Sequence, residues 1–437
     1  MTPIAPPPAP HTLLLLLLQI GVLLLLALVL GRVAVKLRLP PLVGELGAGV
    51  LLGPSLFAHV APGLESWLLP RQAEQFHLLD GVGQLGVLLL VGITGAHLDI
   101  KLIRRQGATA AKVSGFGLVI PLASGIGMGL LLPAALTGGK GQTVFALFLG
   151  VAMCVSAIPV IAKILLDMNL MHRNIGQLTL TAGMVDDVFG WLMLSIVSAM
   201  ATSGLTAGSV GLSLAYVAGV LIVAFVVGRP LARTAFRLAS RSREETPTIA
   251  TTVVLILLAS AGTHALGLES VFGAFVMGLV ISAYGRPDRA KLAPLRTVVV
   301  GVLAPIFFAT AGLRMDLTAL ARPDVLGFAV LILAVAIAGK FAGAYLGART
   351  SKLGTWEALA LGAGMNARGV VEVIVATVGL RLGVISTEVF TIIILVAVVT
   401  SVLAPPILRL AMARLETTKE EHERRAAHFE PALERVG

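Results

Sequence analysis

Apolar runs long enough to cross a lipid bilayer recur along nearly the whole chain, and this recurrence limits the fold more than any other feature. A helix that spans the hydrocarbon core of a bilayer needs about 20 predominantly apolar residues. Of the 437 residues, 57% are hydrophobic and 13% are charged, whereas soluble domains carry about 25% charged residues. A membrane β-barrel would instead show alternating segments of about 10 residues. The sequence therefore predicts an all-α polytopic membrane protein.

The apolar runs predict 13 transmembrane helices. Their approximate bounds are 12–34, 41–58, 78–97, 108–132, 143–166, 175–200, 209–231, 248–266, 269–284, 293–313, 324–348, 356–380 and 388–413. We expect residues 1–414 to form one transmembrane unit and residues 415–437 to form a short cytoplasmic tail, too small for a separate domain. The segment "MTPIAPPPAP" has no basic residue, so the first run is predicted to be a span rather than a cleaved signal peptide. A single cysteine, Cys154, excludes an intrachain disulfide and a cysteine metal site.

The basic residues are distributed according to the predicted topology. The net charge is +10 at pH 7, and most of the basic residues fall in the odd-numbered loops. The odd loops contain Arg32, Lys36, Arg38, Lys101, Arg104, Arg105, Arg173, Arg233, Arg237, Arg241, Arg243, Arg286, Arg289, Lys291, Arg349 and Lys352, and the even loops contain Arg71, Lys140, Arg314, Arg322 and Arg381. By the positive-inside rule, the N-terminus is outside and the C-terminus is cytoplasmic in a plasma-membrane protein. Topology thus explains the charge, and nucleic acid is not an expected partner.

Two adjacent acids, Asp186 and Asp187, lie inside the apolar run "IGQLTLTAGMVDDVFGWLMLSIVSAM". A carboxylate near the middle of a membrane helix costs at least ~3 kcal/mol on insertion scales, and two neighbouring carboxylates also repel each other. Such a pair should persist only if it is protonated, paired with a cation or used to bind one. All three alternatives indicate ion transport, with Asp186 and Asp187 as candidate ligands of the cation.

Two runs contain signals of a broken helix. The fifth run carries Pro159 in "SAIPV", with Ser156 available to hydrogen-bond freed backbone groups, and the twelfth run carries "GAGMNARGVVE", with Arg368 and Glu372. Each break alone could be a simple kink, since Pro and Gly are frequent in membrane helices. The broken fifth run, however, precedes the run with the two aspartates, and the broken twelfth run follows the run that carries Lys340. Transporters often form one site where two helices unwind, so we expect a composite site with two discontinuous crossing helices.

The charged residues of this site have alternative interpretations. Asp186 and Asp187 are ~100° apart around a helix, so one can face a partner helix while the other faces a cavity. Lys340 is the natural partner for one of them, in a salt bridge that either serves transport or is only structural. Asp187 could instead be satisfied by the backbone or by hydroxyl groups, such as those of Thr181 or Ser195.

Two further acids outside the pair are also ambiguous. Arg368 and Glu372 are four residues apart and could simply pair with each other. Glu45, near the start of the second run, is expected to be a structural or interfacial group rather than a ligand of the substrate.

The ordered motifs of the chain resemble a known family. They are "FLGVAMCVSAIPVIAKILLDMNLM", "AGMVDDVFGWLMLSI", "VFGAFVMGLVI", "PIFFATAGLRMDL", "AGKFAGA" and "GMNARGVVEVIVATVGLRLGVIS". In this order they are similar to the monovalent cation:proton antiporter-2 family, which includes Kef-type potassium/proton antiporters and plant cation/proton exchangers. The resemblance extends from about Leu37 to Pro406. Unlike those relatives, the chain shows no nucleotide-binding domain or long soluble tail after the membrane part, so ligand gating is not expected.

The resemblance implies an inverted-repeat fold and a role for each site residue. It implies a homodimer with a core at about 78–200 and 293–413 and a scaffold at about 12–58 and 209–284. Asp187 matches the acid that carries the ion or proton, Asp186 matches the acid that pairs with a lysine, and Lys340 stands in that lysine's place. Ser156 and Arg368 fall at the two helix crossings. An Asp–Asp pair with a lysine is typical of electrogenic members.

We therefore expect a secondary antiporter, not an enzyme, that exchanges Na⁺ or K⁺ for protons without a cofactor. In this hypothesis Lys340, Arg368 and Glu372 balance charge around the binding carboxylates. A potassium efflux channel and a sodium-coupled solute symporter remain alternatives. An intramembrane aspartyl protease is disfavoured, because its two aspartates should come from different helices.

Overall fold

A computed structural model describes residues 10–37, 39–69, 73–97, 100–203, 207–242, 244–285 and 287–422. The helices in chain order are α1 (Pro10–Lys36), α2 (Pro41–Leu52), α3 (Phe57–Val60), α4 (Pro62–Leu68), α5 (Ala73–His97), α6 (Ile100–Leu131), α7 (Gln142–Cys154), α8 (Ile158–Asp167), α9 (Asn174–Ser203) and α10 (Ala207–Val223). They continue with α11 (Arg229–Ala239), α12 (Thr246–Ala265), α13 (Ser270–Val280), α14 (Arg289–Val298), α15 (Ala304–Gly312), α16 (Pro323–Thr350), α17 (Thr355–Met365), α18 (Val370–Arg381) and α19 (Thr387–Met412). Three π-helical segments, Ala224–Gly228, Ile281–Gly285 and Val299–Leu303, extend neighbouring helices.

The prediction of an all-helical polytopic membrane protein is confirmed, but the count of 13 spans is not. Among the described residues, 11 helices are long and apolar enough to cross a membrane, and the bent pair α17–α18 makes 12. The run predicted at 269–284 folds as the apolar segment Ser270–Gly285, which is shorter than the 18 residues required of a candidate span. The predicted run and the observed segment both have 16 residues, so hydropathy located this helix correctly, and only its short length keeps it out of the count.

The chain forms two compact units. Unit 1 holds the described residues of Met1–Ala96, Val223–Thr263 and Gly273–Val325, and unit 2 holds those of His97–Ile222, His264–Phe272 and Leu326–Gly437. The bounds differ from the expected core and scaffold, because 78–96 and 293–325 group with the first helices of the chain. Compact units need not coincide with the parts that move in transport, so the division into a core and a dimerisation scaffold stays a prediction.

In unit 1, α2 packs between α1 and α15. Small residues make this close packing possible: a Cβ atom on Gly49 would collide with the carbonyl oxygen of Ala309. The buried cluster between these helices includes Leu23, Ala27 and Ala48. Only 22% of the apolar window of α1 is buried, so α1 presents most of its surface outward.

In unit 2, the broken helix α7–α8 is enclosed by its neighbours. In the window of Gln142–Asp167, 89% of the residues are buried, and α7 contacts α6, α9 and α18. A polar group on α7 or α8 is therefore shielded from lipid and must find its partners inside the protein.

Some sequence predictions concern residues outside the described part. Arg38, Arg71, Arg243 and Arg286 lie there, as do residues 423–437 of the predicted tail. The described tail leaves α19 and begins a new helical turn at Lys419. Membrane orientation stays a prediction based on the loop charges.

Candidate functional site

Two breaks in helices meet in unit 2. Between α7 and α8, residues 155–157 leave the helical conformation, and between α17 and α18 the break covers 366–369. The backbone N–H of Ala157 donates to the carbonyl of Ala367 at 3.2 Å, and the Ser156 hydroxyl donates to the carbonyl of Met365 at 2.8 Å. Donors in the first break thus bind backbone carbonyl groups at the second break, which the interruption of the helix leaves without intrahelical partners. The structure brings together the two discontinuous helices that the sequence predicted.

The position of Pro159 differs slightly from the expectation. It does not interrupt a helix in its middle but lies in the first turn of α8, after the break. A proline is tolerated there because the N–H groups of a first turn have no partner within the helix. The break therefore precedes Pro159 and exposes two helix ends, the carboxyl end of α7 and the amino end of α8.

Arg368 occupies the carboxyl end of α7. Its guanidinium donates to the carbonyls of Ala152 at 3.2 Å and Met153 at 2.6 Å, where a positive charge complements the helix dipole. It also donates to the carbonyl of Ala336 at 3.0 Å and to Oε1 of Glu372 at 3.1 Å. The pairing of Arg368 with Glu372 that the spacing allowed is present, although Arg368 lies in the break and Glu372 in the first turn of α18.

Asp186 is completely buried and fully hydrogen-bonded. Its Oδ1 accepts from the Ser114 hydroxyl at 2.6 Å. Its Oδ2 accepts from the Lys340 ammonium at 2.5 Å and lies 2.9 Å from the Ser156 hydroxyl. Because a serine hydroxyl has one proton, Ser156 can donate to Asp186 or to Met365 but not fully to both. Ser156 therefore links the carboxylate to the crossing of the two breaks.

Lys340 has three acceptors for its three N–H bonds. They are Oδ2 of Asp186 and the carbonyls of Cys154 at 2.5 Å and Gly117 at 3.0 Å. An ammonium group has three donors and no acceptor, so this geometry fits the charged form. The carbonyl of Cys154 is the last of α7, which places a second positive charge at that helix end. The contact expected between Lys340 and one of the two acids is made with Asp186.

Three glycines on α16 explain how Lys340 reaches this position. Gly339, Gly343 and Gly347 recur every four residues and so lie on one face of the helix. A Cβ atom on Gly343 would collide with the carbonyl of Phe116, and one on Gly347 would lie 2.5 Å from the carbonyl of Lys112. Small residues at this spacing allow membrane helices to approach closely. The close approach to α6 lets the lysine side chain reach the carbonyl of Gly117.

Asp187 is buried, with 1% of its surface exposed, yet it is only partly satisfied. The backbone N–H of Ile158, at the amino end of α8, interacts with its carboxylate. Its Oδ1 has no hydrogen-bond partner among the described residues. Thr181 donates to the carbonyl of Gln177 instead, and Ser195 is itself without a partner in the described part of the chain. Of the two acids, Asp187 therefore has the oxygen that is free to take a ligand.

The sequence interpretation missed Ser114 and the carbonyl of Gly117. Ser114 is a buried hydroxyl on α6, 72 residues before its partner Asp186. No local pattern distinguishes it from other small polar residues in apolar runs. The glycine repeat on the helix of Lys340 was a usable signal, because its face points toward the helix that would contact the lysine.

In the part of the chain that the structure describes, the site has no cluster of side chains that would hold a multivalent metal ion. No group of three or more His, Cys, Asp or Glu side chains converges within the described residues. Two buried acidic oxygens near the two breaks have no hydrogen-bond partner among the described residues, Oδ1 of Asp187 and Oε2 of Glu372.

Comparison with known proteins identifies the family. The family model described as "Sodium/hydrogen exchanger, transmembrane" matches residues 22–414. The Na(+)/H(+) antiporter NhaS4 of Synechocystis sp. is 31% identical over 91% of this chain and 97% of its own length. Cation/H(+) antiporter 17 of Arabidopsis thaliana is 30% identical over 92% of this chain. The chain spans about half the length of that plant relative, 48%.

A solved structure supports the same fold. The sodium proton antiporter MjNhaP1 from Methanocaldococcus jannaschii aligns with a TM-score of 0.67, covering 92% of this chain and 99% of its own, at 18% identity. The resemblance that the ordered motifs indicated is confirmed by these matches. The chain therefore belongs to the transmembrane sodium/hydrogen exchanger family of monovalent cation:proton antiporters.

Proposed function

We propose that this protein is a secondary active antiporter that exchanges a monovalent cation, Na⁺ or K⁺, for protons by competition at Asp187. The observation that carries the proposal is the free Oδ1 of a buried carboxylate beside a fully satisfied Asp186–Lys340 pair. The relatives of the chain include proteins named as Na⁺/H⁺ and K⁺/H⁺ antiporters, which supports the same exchange.

Competition follows from the charge of the site. With Asp186 and Asp187 ionised and Lys340 protonated, the site has one net negative charge, because the Arg368–Glu372 pair is neutral. A buried charge costs several kcal/mol when it leaves water unpaired, so the empty site should not move easily across the membrane. One proton or one cation on Asp187 removes that charge. Only a singly loaded site is then free to change its exposure, which couples the two fluxes.

The transport is proposed to be electrogenic through Lys340. An incoming cation at Asp187 places a second positive charge near the ammonium group. If Lys340 then loses its proton, two protons exchange for one cation and one net charge crosses in each cycle. The negative charge that the cation-loaded site then keeps lies on Asp186, where the hydroxyl groups of Ser114 and Ser156 remain as partners, whereas the charge of the empty site lies on the partly satisfied Asp187. The arrangement supports this step because Asp186 alone holds the lysine by charge, while its other two acceptors are carbonyls of Cys154 and Gly117.

The remaining features of the transporter are also proposals. We infer a plasma-membrane homodimer with a cytoplasmic C-terminus, in which a core moves against a scaffold to expose the site alternately. Asp186 and Ser156 assist binding by orienting the break beside Asp187, and Arg368 and Glu372 balance the charge of the helix ends. The basic loops and the crossing of the two breaks support this arrangement.

Substitution of Asp187 tests the assignment. In proteoliposomes with a pH-sensitive dye inside, Asp187→Asn should abolish Na⁺- and K⁺-driven proton movement, because an amide cannot bind and release a proton. Asp167→Asn is a matched control, since Asp167 is exposed and, among the described residues, forms its ion pair with Lys163 on its own helix. Full exchange by Asp187→Asn would refute the proposal, and cation flux without proton counterflow in the wild-type protein would favour a channel.

Substitution of Lys340 tests the electrogenic step. Lys340→Ala combined with Asp186→Asn removes both partners of the buried pair, which is milder than leaving one charge unpaired. We expect currents on a solid-supported membrane to disappear while dye-detected exchange continues. If the wild-type protein itself exchanges cations for protons without producing a current, the role of Lys340 is refuted and the role of Asp187 is not affected.

A further inference from the structure

An open-sided groove lies in unit 1 where α1 ends and α2 begins. Its volume is about 410 Å³, within the 300–1,000 Å³ range of small-molecule sites. It is far along the chain from the acids of the exchange site, and the proposed antiport does not use it. The groove is lined by Ala27, Leu28, Gly31, Arg32, Val35, Lys36, Pro41 and Glu45.

The depth of the groove is set by the two helices. Arg32 and Lys36 occupy the last turns of the candidate span Pro10–Lys36, and Glu45 lies in the second turn of the candidate span Pro41–Val60. Span ends lie at the level of the lipid headgroups, where long basic side chains extend toward water. The groove therefore runs from the acyl-chain region toward the headgroup region.

The wall of the groove is apolar and shaped by a glycine. Leu28 and Val35 are exposed by 42% and 48%, and Ala27 and Gly31 are buried beneath them. A Cβ atom on Gly31 would lie 3.7 Å from the carbonyl of Pro41 and 3.8 Å from Cγ of Glu45. Because Gly31 has no side chain, its backbone forms the floor of the groove.

The polar end of the groove carries both signs of charge without an internal pair. Among the described residues, Arg32, Lys36 and Glu45 form no ion pair with one another or with other side chains. Glu45 is half-buried, so its carboxyl group has lost part of its hydration without gaining a partner, which is unfavourable. A ligand with only a negative charge would pair with Arg32 and Lys36 but leave Glu45 without a partner. A ligand with a negative and a positive group would satisfy all three side chains.

We propose that this groove binds an aminophospholipid, a lipid with a phosphate and a primary ammonium group in one headgroup. The phosphate lies against Arg32 and Lys36, the ammonium donates to Glu45, and one acyl chain follows the wall of Leu28 and Val35. A purely anionic headgroup would face repulsion from Glu45. A choline headgroup has a cation but no N–H to donate, so it would leave the carboxylate of Glu45 without a hydrogen bond.

Native mass spectrometry of the full chain tests the proposal. The protein is exchanged into equimolar phosphatidylethanolamine, phosphatidylglycerol and phosphatidylcholine of the same acyl chains, and the lipids retained are counted. We expect phosphatidylethanolamine to be retained about fivefold over each competitor, the ratio expected for one ion pair of about 1 kcal/mol. Equal retention of the three lipids, or a preference for phosphatidylglycerol, would overturn the proposal.

The variants distinguish the contribution of each charge. Glu45→Gln should reduce retention of phosphatidylethanolamine and raise that of phosphatidylglycerol, because the repulsive carboxylate is gone. Arg32→Gln with Lys36→Gln should reduce both, since both lipids carry a phosphate. Arg237→Gln is the control, because Arg237 is an exposed basic residue of the same unit outside the groove.

A neutral variant separates lipid binding from self-association. Gly31→Leu fills the floor of the groove without changing any charge, and should expel phosphatidylethanolamine while the protein keeps its oligomeric state. If Gly31→Leu instead changes the oligomeric state and leaves lipid retention unchanged, the groove is an interface with a second copy and the lipid proposal is wrong. An unchanged lipid preference in all groove variants would have the same consequence.

Discussion

The Ser114 hydroxyl, on α6, donates to Oδ1 of Asp186 at 2.6 Å. A buried acceptor that loses its donor costs about 1–3 kcal/mol, and the loss is larger for the carboxylate than for the carboxylic acid. Ser114 thereby holds the Asp186 carboxyl group in position to accept from Lys340. At the scale of single residues, the neutral Ser114 hydroxyl supports the Asp186–Lys340 ion pair, which was predicted from the charges alone.

Ser114→Ala should slow exchange. Without this donor, Oδ1 of Asp186 loses its hydrogen bond and the Asp186–Lys340 pair is held less firmly, so the exchange rate should fall by up to about tenfold, the equivalent of 1.4 kcal/mol. The profile of exchange rate against pH is measured with the dye assay in proteoliposomes between pH 5 and pH 9.

Ser114→Thr keeps the hydroxyl group and should restore the wild-type profile. Ser124→Ala serves as a control on the same helix, because Ser124 donates only to the carbonyl of Pro121. A profile that stays unchanged in Ser114→Ala would show that Asp186 does not depend on this bond.

At the scale of helices, the site depends on how closely α16 approaches α6. Lys340 donates to the carbonyl of Gly117 at 3.0 Å, and the glycine face of α16 is what allows this distance. The backbone of Phe116 cannot yield as a flexible side chain would. A side chain on the glycine face would therefore separate the helices and lengthen the contacts of Lys340.

Gly343→Ala should impair both stability and exchange. Its methyl group would meet the carbonyl of Phe116, and overpacking of this kind costs about 1–3 kcal/mol. We expect a lower thermal unfolding temperature in detergent and a smaller transport current. Gly327→Ala, on the same helix, meets no atom within 4 Å and should behave like the wild type. Equal stability of the two variants would contradict the proposed role of the glycine face.

The sequence predicted the helical breaks well because their causes are local. Pro159 and the glycines near Arg368 disfavour a continuous helix wherever they occur, and the breaks were found beside them. The partner of Lys340 was also foreseen, since a buried lysine needs an acid. Ser114 and the carbonyl of Gly117 were not foreseen, because they act through a contact between distant helices. The apolar run at 269–284 was also located to within one residue, as Ser270–Gly285, but it is shorter than the 18 residues required of a candidate span.

At the scale of the whole chain, the tail returns to the helix that carries the two acids. The carboxylate of Glu421 accepts from the backbone N–H of Asn174, the first residue of α9, at 2.6 Å, and from that of Thr418 at 2.8 Å. The Arg173 guanidinium lies 3.2 Å from Glu421 and donates to the carbonyls of Leu415 and Glu416 at 3.0 Å. One acid thus caps α9 and closes a capping box with Thr418.

This contact agrees with the predicted topology, because Arg173 and the C-terminus were both assigned to the cytoplasmic side. Burial of Glu421 raises its pKa, but the N–H groups of Asn174 and Thr418 and the charge of Arg173 outweigh it, so its pKa is lowered from 4.5. A lowered pKa means that the docked tail binds the ionised form. The stabilisation is complete above the pKa of a free glutamate and is lost as the pH falls through the lower value in the folded protein.

Glu421→Ala should release the tail and expose the first turn of α9. Loss of a helix cap costs about 0.5–2 kcal/mol, so hydrogen exchange at the amide of Asn174 should accelerate by about 2- to 30-fold at pH 7, since 1.4 kcal/mol is a factor of ten. Glu421→Gln keeps the shape of the cap but loses the charge opposite Arg173. Its rate of hydrogen exchange at Asn174 should fall between those of the wild type and Glu421→Ala. In the wild type, the same protection should fade only in acid, below the ordinary glutamate pKa.

Glu416→Gln supplies the matched control, because Glu416 is exposed and Arg173 binds its backbone carbonyl, which the substitution keeps. It should exchange like the wild type at Asn174. If Glu421→Ala also left that amide protected, the tail would not be holding the end of α9. Protection lost in Glu421→Ala without a change near Asp187, which is 13 residues further along the helix, would confine the effect of the tail to the first turn of α9. Loss of protection at both positions would make the tail a support for the acid pair itself, because α9 is one continuous helix between them.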